Sequence, residues 1–132
     1  MTLSEENRKY IVNHRLQKAY KTLQEAKGNV DMEFWHTAAN RLYYACFYAV
    51  TALLIKNGYT TRTHNGVFTL LGKHFVLEGI ISKEQNNLYG ALIELRQEGD
   101  YDDWKVILEE DIKPLLEPTQ KFIQDIENLI NT

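Results

Sequence analysis

Ala38-Ala39-Asn40-Arg41-Leu42-Tyr43-Tyr44-Ala45-Cys46-Phe47-Tyr48-Ala49 decides how the rest of the chain is read. Alanines, leucine and aromatics at helical spacing make this an apolar helix, and into it are set an asparagine and an arginine. An unpaired guanidinium among apolar side chains costs several kcal/mol, so Arg41 must find an acceptor on a neighbouring element. Asn40 shares a helix face with Tyr43 and Tyr44, and Arg41 with Tyr44 and Ala45, because each pair stands three or four residues apart. A small polar window in an apolar wall is expected. Two uses of it stay open: an ion pair that fixes the register of a bundle, or a binding surface.

Working outward, Asp31 is expected to cap this helix, which runs over 31–56 and is apolar over most of its circumference. Before it, Val12, Leu16, Ala19, Tyr20, Leu23 and Ala26 form one stripe of an amphipathic helix over 4–27, opened by Ser4 and closed at Gly28 in a left-handed turn. After it, a loop leads to a short helix over 65–77 that ends at Gly79. Ser82, with Gln85 as its capping-box partner, starts a helix over 82–98 whose apolar stripe breaks at Gly99. Leu108, Ile112, Leu115, Phe122, Ile126 and Leu129 then place a final helix over 103–131, kinked rather than divided by Pro114 and Pro118. No strand signal appears. The expected fold is all-α, a five-helix up-and-down bundle in a single domain, 1–132.

Composition agrees. At 132 residues, 44% apolar and 25% charged, the chain can bury about two-thirds of its unfolded surface without a disulfide or a metal. The net charge of −3 is unevenly spread. Residues 1–64 carry nine Lys/Arg against five Asp/Glu, and residues 94–132 carry four against eleven. An acidic C-terminal third argues against broad clamping of nucleic acid, while leaving room for a local basic cleft. Met1–Lys9 has no apolar signal region, and the run Leu42–Ile55 is interrupted and short for a bilayer span. No membrane role is expected. Cys46 is a lone cysteine, which fits a cytoplasmic location and a small core residue.

Two further segments carry polar chemistry. Thr63-His64-Asn65-Gly66 sets a histidine at the start of the third helix, where it can move protons near neutral pH or simply pack the loop. Arg96-Gln97-Glu98-Gly99-Asp100-Tyr101-Asp102-Asp103 offers an arginine for a phosphate and a tyrosine for stacking, or else an ion pair and a cap for the last helix, supplied by Asp102 or Asp103. There is no phosphate-binding glycine loop, no nucleophile elbow and no zinc spacing among His14, His36, His64 and His74. Neither a metal nor a cofactor is expected.

Taken together, Ala39–Phe47, Thr63-His64-Asn65-Gly66-Val67, Gly79-Ile80-Ile81-Ser82 and Arg96-Gln97-Glu98-Gly99-Asp100-Tyr101 resemble the HEPN superfamily of prokaryotic helical domains. The nearest branch carries R-x-YYA-x-F, TH-x-G and R-x-x-x-DY motifs. The resemblance implies a homodimer with a cleft at its interface. It also implies membership of a toxin–antitoxin-like or defence pair with a small nucleotidyltransferase, and RNA or a nucleotide as ligand. Many HEPN proteins are metal-independent ribonucleases whose motif is an arginine followed, four to six residues on, by a histidine. Here Arg96 matches the arginine, but Tyr101, Asp102 and Asp103 stand where the histidine belongs. A tyrosine of pKa about 10 is a poor base at neutral pH. The resemblance therefore implies a binding component lined by Asn40, Arg41, Tyr44, Asp100 and Tyr101. An active ribonuclease is the alternative if His64 folds back toward Arg96, and a purely structural oligomerisation subunit is the third reading. Arg41 is expected to be buried and paired with Asp100 or another acid of 94–103.

Overall fold

A computed structural model describes residues 3–101 and 103–132. Five α-helices and no strand occur among them: α1 (Glu5–Asp31), α2 (Trp35–Lys56), α3 (His64–Leu71), α4 (Lys83–Tyr101) and α5 (Glu109–Ile130). A π-helical turn, Gly72–Val76, extends α3. α1 and α2 form a long antiparallel hairpin, and α2 is the central element, touching every other α-helix. Ala38, Leu42, Ala45, Cys46, Ala49, Val50 and Leu53 along it are 0–1% exposed. By length and composition α2 could cross a membrane, but most of its apolar stretch is covered by the bundle. The aromatic side chains of α2 are largely covered within the chain. Tyr43 is buried, and Tyr44, Phe47 and Tyr48 pack half-buried against the core.

Helix boundaries moved where tertiary burial outweighed local signals. Ser4 caps α1 as expected, its hydroxyl accepting from the Asn7 N–H at 3.1 Å. Gly28, however, lies inside α1 rather than ending it. Carrying the helix on buries Val30, 8% exposed, and a valine side chain taken from water is worth about 1.5–3 kcal/mol against about 1 for a glycine in a helix. The left-handed residue is Glu33 (φ 61°) in the three-residue turn. Asp31 is therefore the last residue of α1, and Phe34 precedes α2 with no side-chain cap. Ser82 bonds the Gln85 N–H at 3.1 Å, but the Gln85 amide turns to Asp125 at 2.8 Å, so only half of the capping box forms.

Nor does α4 break at Gly99. Its missing Cβ leaves the space into which Ile107 packs, an added Cβ standing 2.8 Å from Ile107 Cδ1. Ile107 is 2% exposed, and its N–H donates to His36 Nε2 at 3.4 Å. The segment after α4 thereby folds against the start of α2, and α5 begins at Glu109 rather than near 103. Asp103 is too far upstream to cap it; Asp111 accepts from the Leu108 N–H at 2.9 Å instead. Asp102 lies outside the described residues. Pro114 and Pro118 sit inside α5 on its exposed side, where water can take the carbonyls they leave unbonded.

Candidate functional site

The polar residues singled out along the sequence meet at one end of the bundle, around Arg96. α4 carries Arg96 and Asp100 one turn apart, so Asp100 Oδ2 lies 3.6 Å from Arg96 Nη1. The guanidinium is packed among rings, its Cζ 4.8 Å from the centre of Tyr43, 5.6 Å from Tyr44 and 5.9 Å from Tyr101. Nη1 also donates to the Tyr44 hydroxyl at 3.3 Å. Aromatic faces stabilise a cation by their quadrupole, which, with the Asp100 carboxylate, offsets the cost of burying a side chain only 13% exposed. Nε is buried with no hydrogen-bond partner among the described residues.

His64 joins this cluster through Tyr43. Thr63 caps α3, its hydroxyl accepting from the Gly66 N–H at 2.9 Å, and that sets His64 as the first helical residue. The TH-x-G spacing has a steric cause: a Cβ on Gly66 would stand 2.2 Å from Thr61 Oγ1 and 2.8 Å from Thr63 Oγ1. One face of the imidazole stacks on Phe47, ring centres 4.4 Å apart, and Nδ1 is hydrogen-bonded to the Tyr43 hydroxyl. His64 is exposed overall, but packing against these rings withdraws part of the imidazole from water and the Arg96 charge adds to the effect, so its pKa is lowered below 6.5, which favours the neutral ring at pH 7. Burial pushes the Tyr43 hydroxyl up to about 12, although Arg96 pulls the other way, so it stays protonated. The bond fixes the orientation of the imidazole; in the tautomer whose Nδ1–H donates to the Tyr43 hydroxyl, Nε2 is a free base.

Arg41 takes a different place from the one expected. It is half-exposed, not buried, and pairs with Glu25 of α1 at 3.5 Å rather than with an acid of 94–103. Its Nε and Nη2 donate to Asn40 Oδ1 at 3.0 and 2.7 Å. The Asn40 amide donates in turn to Asp100 at 3.3 Å. Asn40 is the bridge: it links Arg41 to the acid that Arg96 holds. Tyr101 stands at the rim, 76% exposed. All seven residues expected at a site therefore belong to one network, with Arg96 in the buried position that had been expected for Arg41.

The sequence model of the HEPN domain matches residues 12–129. The chain belongs to the HEPN family. Among relatives of this HEPN chain, a UPF0332 protein of Thermotoga maritima is 35% identical over 120 residues, covering 91% of each chain. A Methanocaldococcus jannaschii protein named "Putative toxin MJ0142" is 30% identical over 82% of this chain and 74% of its own. The fold is similar to two solved structures. One is TT1696 from Thermus thermophilus (TM-score 0.76, 16% identity, 89% of this chain and 96% of that one). The other is a HEPN domain protein, tm0613, from Thermotoga maritima (TM-score 0.67, 20% identity, 89% and 98%).

In this HEPN chain Tyr101 stands in the place after Arg96, and the imidazole tied to the cluster through Tyr43 is that of His64, at the start of α3. Tyr43 and Phe47, which hold that imidazole, were not singled out as site residues. Both stand in the R-x-YYA-x-F stretch, one turn apart on the face of α2 that α3 covers, and that spacing was the available signal. No group of His, Cys, Asp and Glu suited to a metal ion occurs among the described residues.

Proposed function

We propose that this HEPN protein binds RNA at the Arg96 cluster and cleaves it without a metal, as the toxin-like member of a pair with a small nucleotidyltransferase. The observation that carries this reading is the hydrogen bond between Tyr43 and His64, because the same tyrosine ring packs against Arg96. A proton carrier and a cation are thus brought to one place, the two groups that metal-free phosphodiester cleavage requires. In that chemistry the ribose 2′-oxygen attacks the neighbouring phosphorus and gives its proton to His64 Nε2. Arg96 stabilises the charge on the phosphoryl oxygens. The 5′-oxygen leaves and takes a proton from water, giving a cyclic phosphate and a free 5′-hydroxyl, and His64 returns its proton to the hydroxide so formed. Relatives named as toxins support the biological setting.

One observation favours a binding component that does not cut. Asp100 pairs with Arg96 and offsets the charge a phosphate would meet. End-labelled single-stranded RNA incubated with the protein and excess chelator separates the two. Cleavage by the wild type that is lost in His64→Ala supports the ribonuclease. Binding that needs Arg96, with no cleavage, leaves the binding component.

A homodimer belongs to the same proposal. Met32, Phe34, Val106 and Leu108 are 47–66% exposed at the end of the bundle where Ile107 is bonded to His36, so a second copy would cover apolar surface beside the site. Sedimentation at micromolar concentration tests it, and a monomer there would refute it.

A further inference from the structure

Beside His64, and lined by no residue of α4, a cleft of about 260 Å³ opens between α1, α2 and the loop before α3. Its walls include Arg15, Phe47, Thr61, Arg62 and His64, and no acidic residue lines it. The chain has five arginines. Three are engaged: Arg8 donates to the Ile55 carbonyl at 2.6 Å, Arg41 to Asn40, and Arg96 to Tyr44. Arg15 and Arg62, the remaining two, make no hydrogen bond or ion pair among the described residues, and both line this one cleft.

We propose that the cleft is a second phosphate subsite. It takes a phosphodiester of the same RNA strand whose neighbouring phosphate lies at Arg96, so that the strand crosses His64. This rests on the reading of the Arg96 cluster given above. Two guanidiniums without carboxylate partners are suited to bidentate contact with phosphate oxygens. Threonine hydroxyls around them add neutral donors. His64 lines the cleft and is also tied to Tyr43, so a chain held at both ends is fixed across the imidazole. The volume favours a strand over a free nucleotide. It is below the roughly 300–1,000 Å³ of pockets that enclose a whole small ligand, and it suits a phosphate and part of a ribose with the bases outside.

The test uses uncleavable 2′-O-methyl oligouridylates: a dinucleotide with one phosphate and a pentanucleotide with four. In Arg15→Ala/Arg62→Ala the pentanucleotide should bind about tenfold more weakly, and the slope of log affinity against log salt should fall by about 0.7, the single-strand value for one phosphate no longer neutralised. Dinucleotide affinity should change by no more than about twofold, since Arg96 still holds its phosphate. Unchanged pentanucleotide affinity and slope in the double variant, with binding still lost in Arg96→Ala, overturns the subsite and spares the site. The converse, loss in the double variant with none in Arg96→Ala, keeps the subsite and overturns the reading of Arg96. If ADP binds the wild type and not the double variant while the pentanucleotide binds both alike, the cleft takes a free nucleotide and the strand is refuted. Arg62→Glu, at an exposed position, should repeat the loss with an unchanged unfolding midpoint.

Discussion

The Arg96 guanidinium lies 4.8 Å from the centre of the Tyr43 ring, and the hydroxyl of that tyrosine holds His64 Nδ1. One buried side chain therefore touches both the cation and the base of the proposed site. Tyr43 fixes their relative position because it is itself immobile, 1% exposed in the core of α2.

Tyr43→Phe removes the hydroxyl and keeps the ring. Its cost in stability should be about 0.5–1.5 kcal/mol, the net worth of one hydrogen bond. RNA cleavage should fall far more than stability, because the His64 ring is no longer held in orientation. Denaturant unfolding and a single-turnover cleavage assay on the same preparation would check the split, and a proportionate loss of folded protein and activity would refute it.

His64 should titrate below 6.5, and Arg96→Ala should bring it back toward that value. The group binds fewer protons folded than unfolded between its lowered pKa and 6.5, so stability rises with pH through that window and is level above it. Cleavage that uses the neutral imidazole should likewise keep its plateau to below pH 6.5. Proton NMR of the imidazole in the wild type and Arg96→Ala measures the shift directly.

Arg41→Ala should cost under about 1 kcal/mol, as expected of an ion pair near the surface. Arg96→Ala removes a cation packed on three rings and should cost about 1–3 kcal/mol. Equal losses, measured by urea unfolding, would mean that the two arginines are not differently placed.

The number of helices and their apolar stripes were legible because burial follows the 3.6-residue period, which Val12, Leu16, Leu23, Phe122 and Ile126 keep. Their ends were less so. Gly28 and Gly99 look like stops, yet one is carried through by the burial of Val30 and the other makes room for Ile107, contacts that depend on other helices. The members of the site could be named, but not their order. Arg41 and Arg96 are alike in sequence, and which one enters the aromatic cluster depends on how α2 and α4 are rotated against each other. Tyr43 and Tyr44 are adjacent and both rings touch His64, so the same rotation chose which of them bonds it.

The two helical glycines with crowded Cβ positions should respond differently. Gly66→Ala presses on Thr61 Oγ1 at 2.2 Å, with Thr61 Cβ at 3.0 Å, and should destabilise by about 1–3 kcal/mol while displacing His64. Gly99→Ala meets the flexible end of Ile107, and the gain in helix propensity should hold its net effect within about 1 kcal/mol. Thermal unfolding of both variants compares them.

The central claim is that Arg96 and His64 act on one phosphodiester as a unit, and a double-mutant cycle on metal-free RNA cleavage tests it. Groups that serve one transition state lose activity non-additively. Arg96→Ala and His64→Ala should each bring cleavage in chelator close to background, with the double variant no slower than the worse single one. Cleavage that survives His64→Ala, or losses that multiply as for independent sites, would contradict the account.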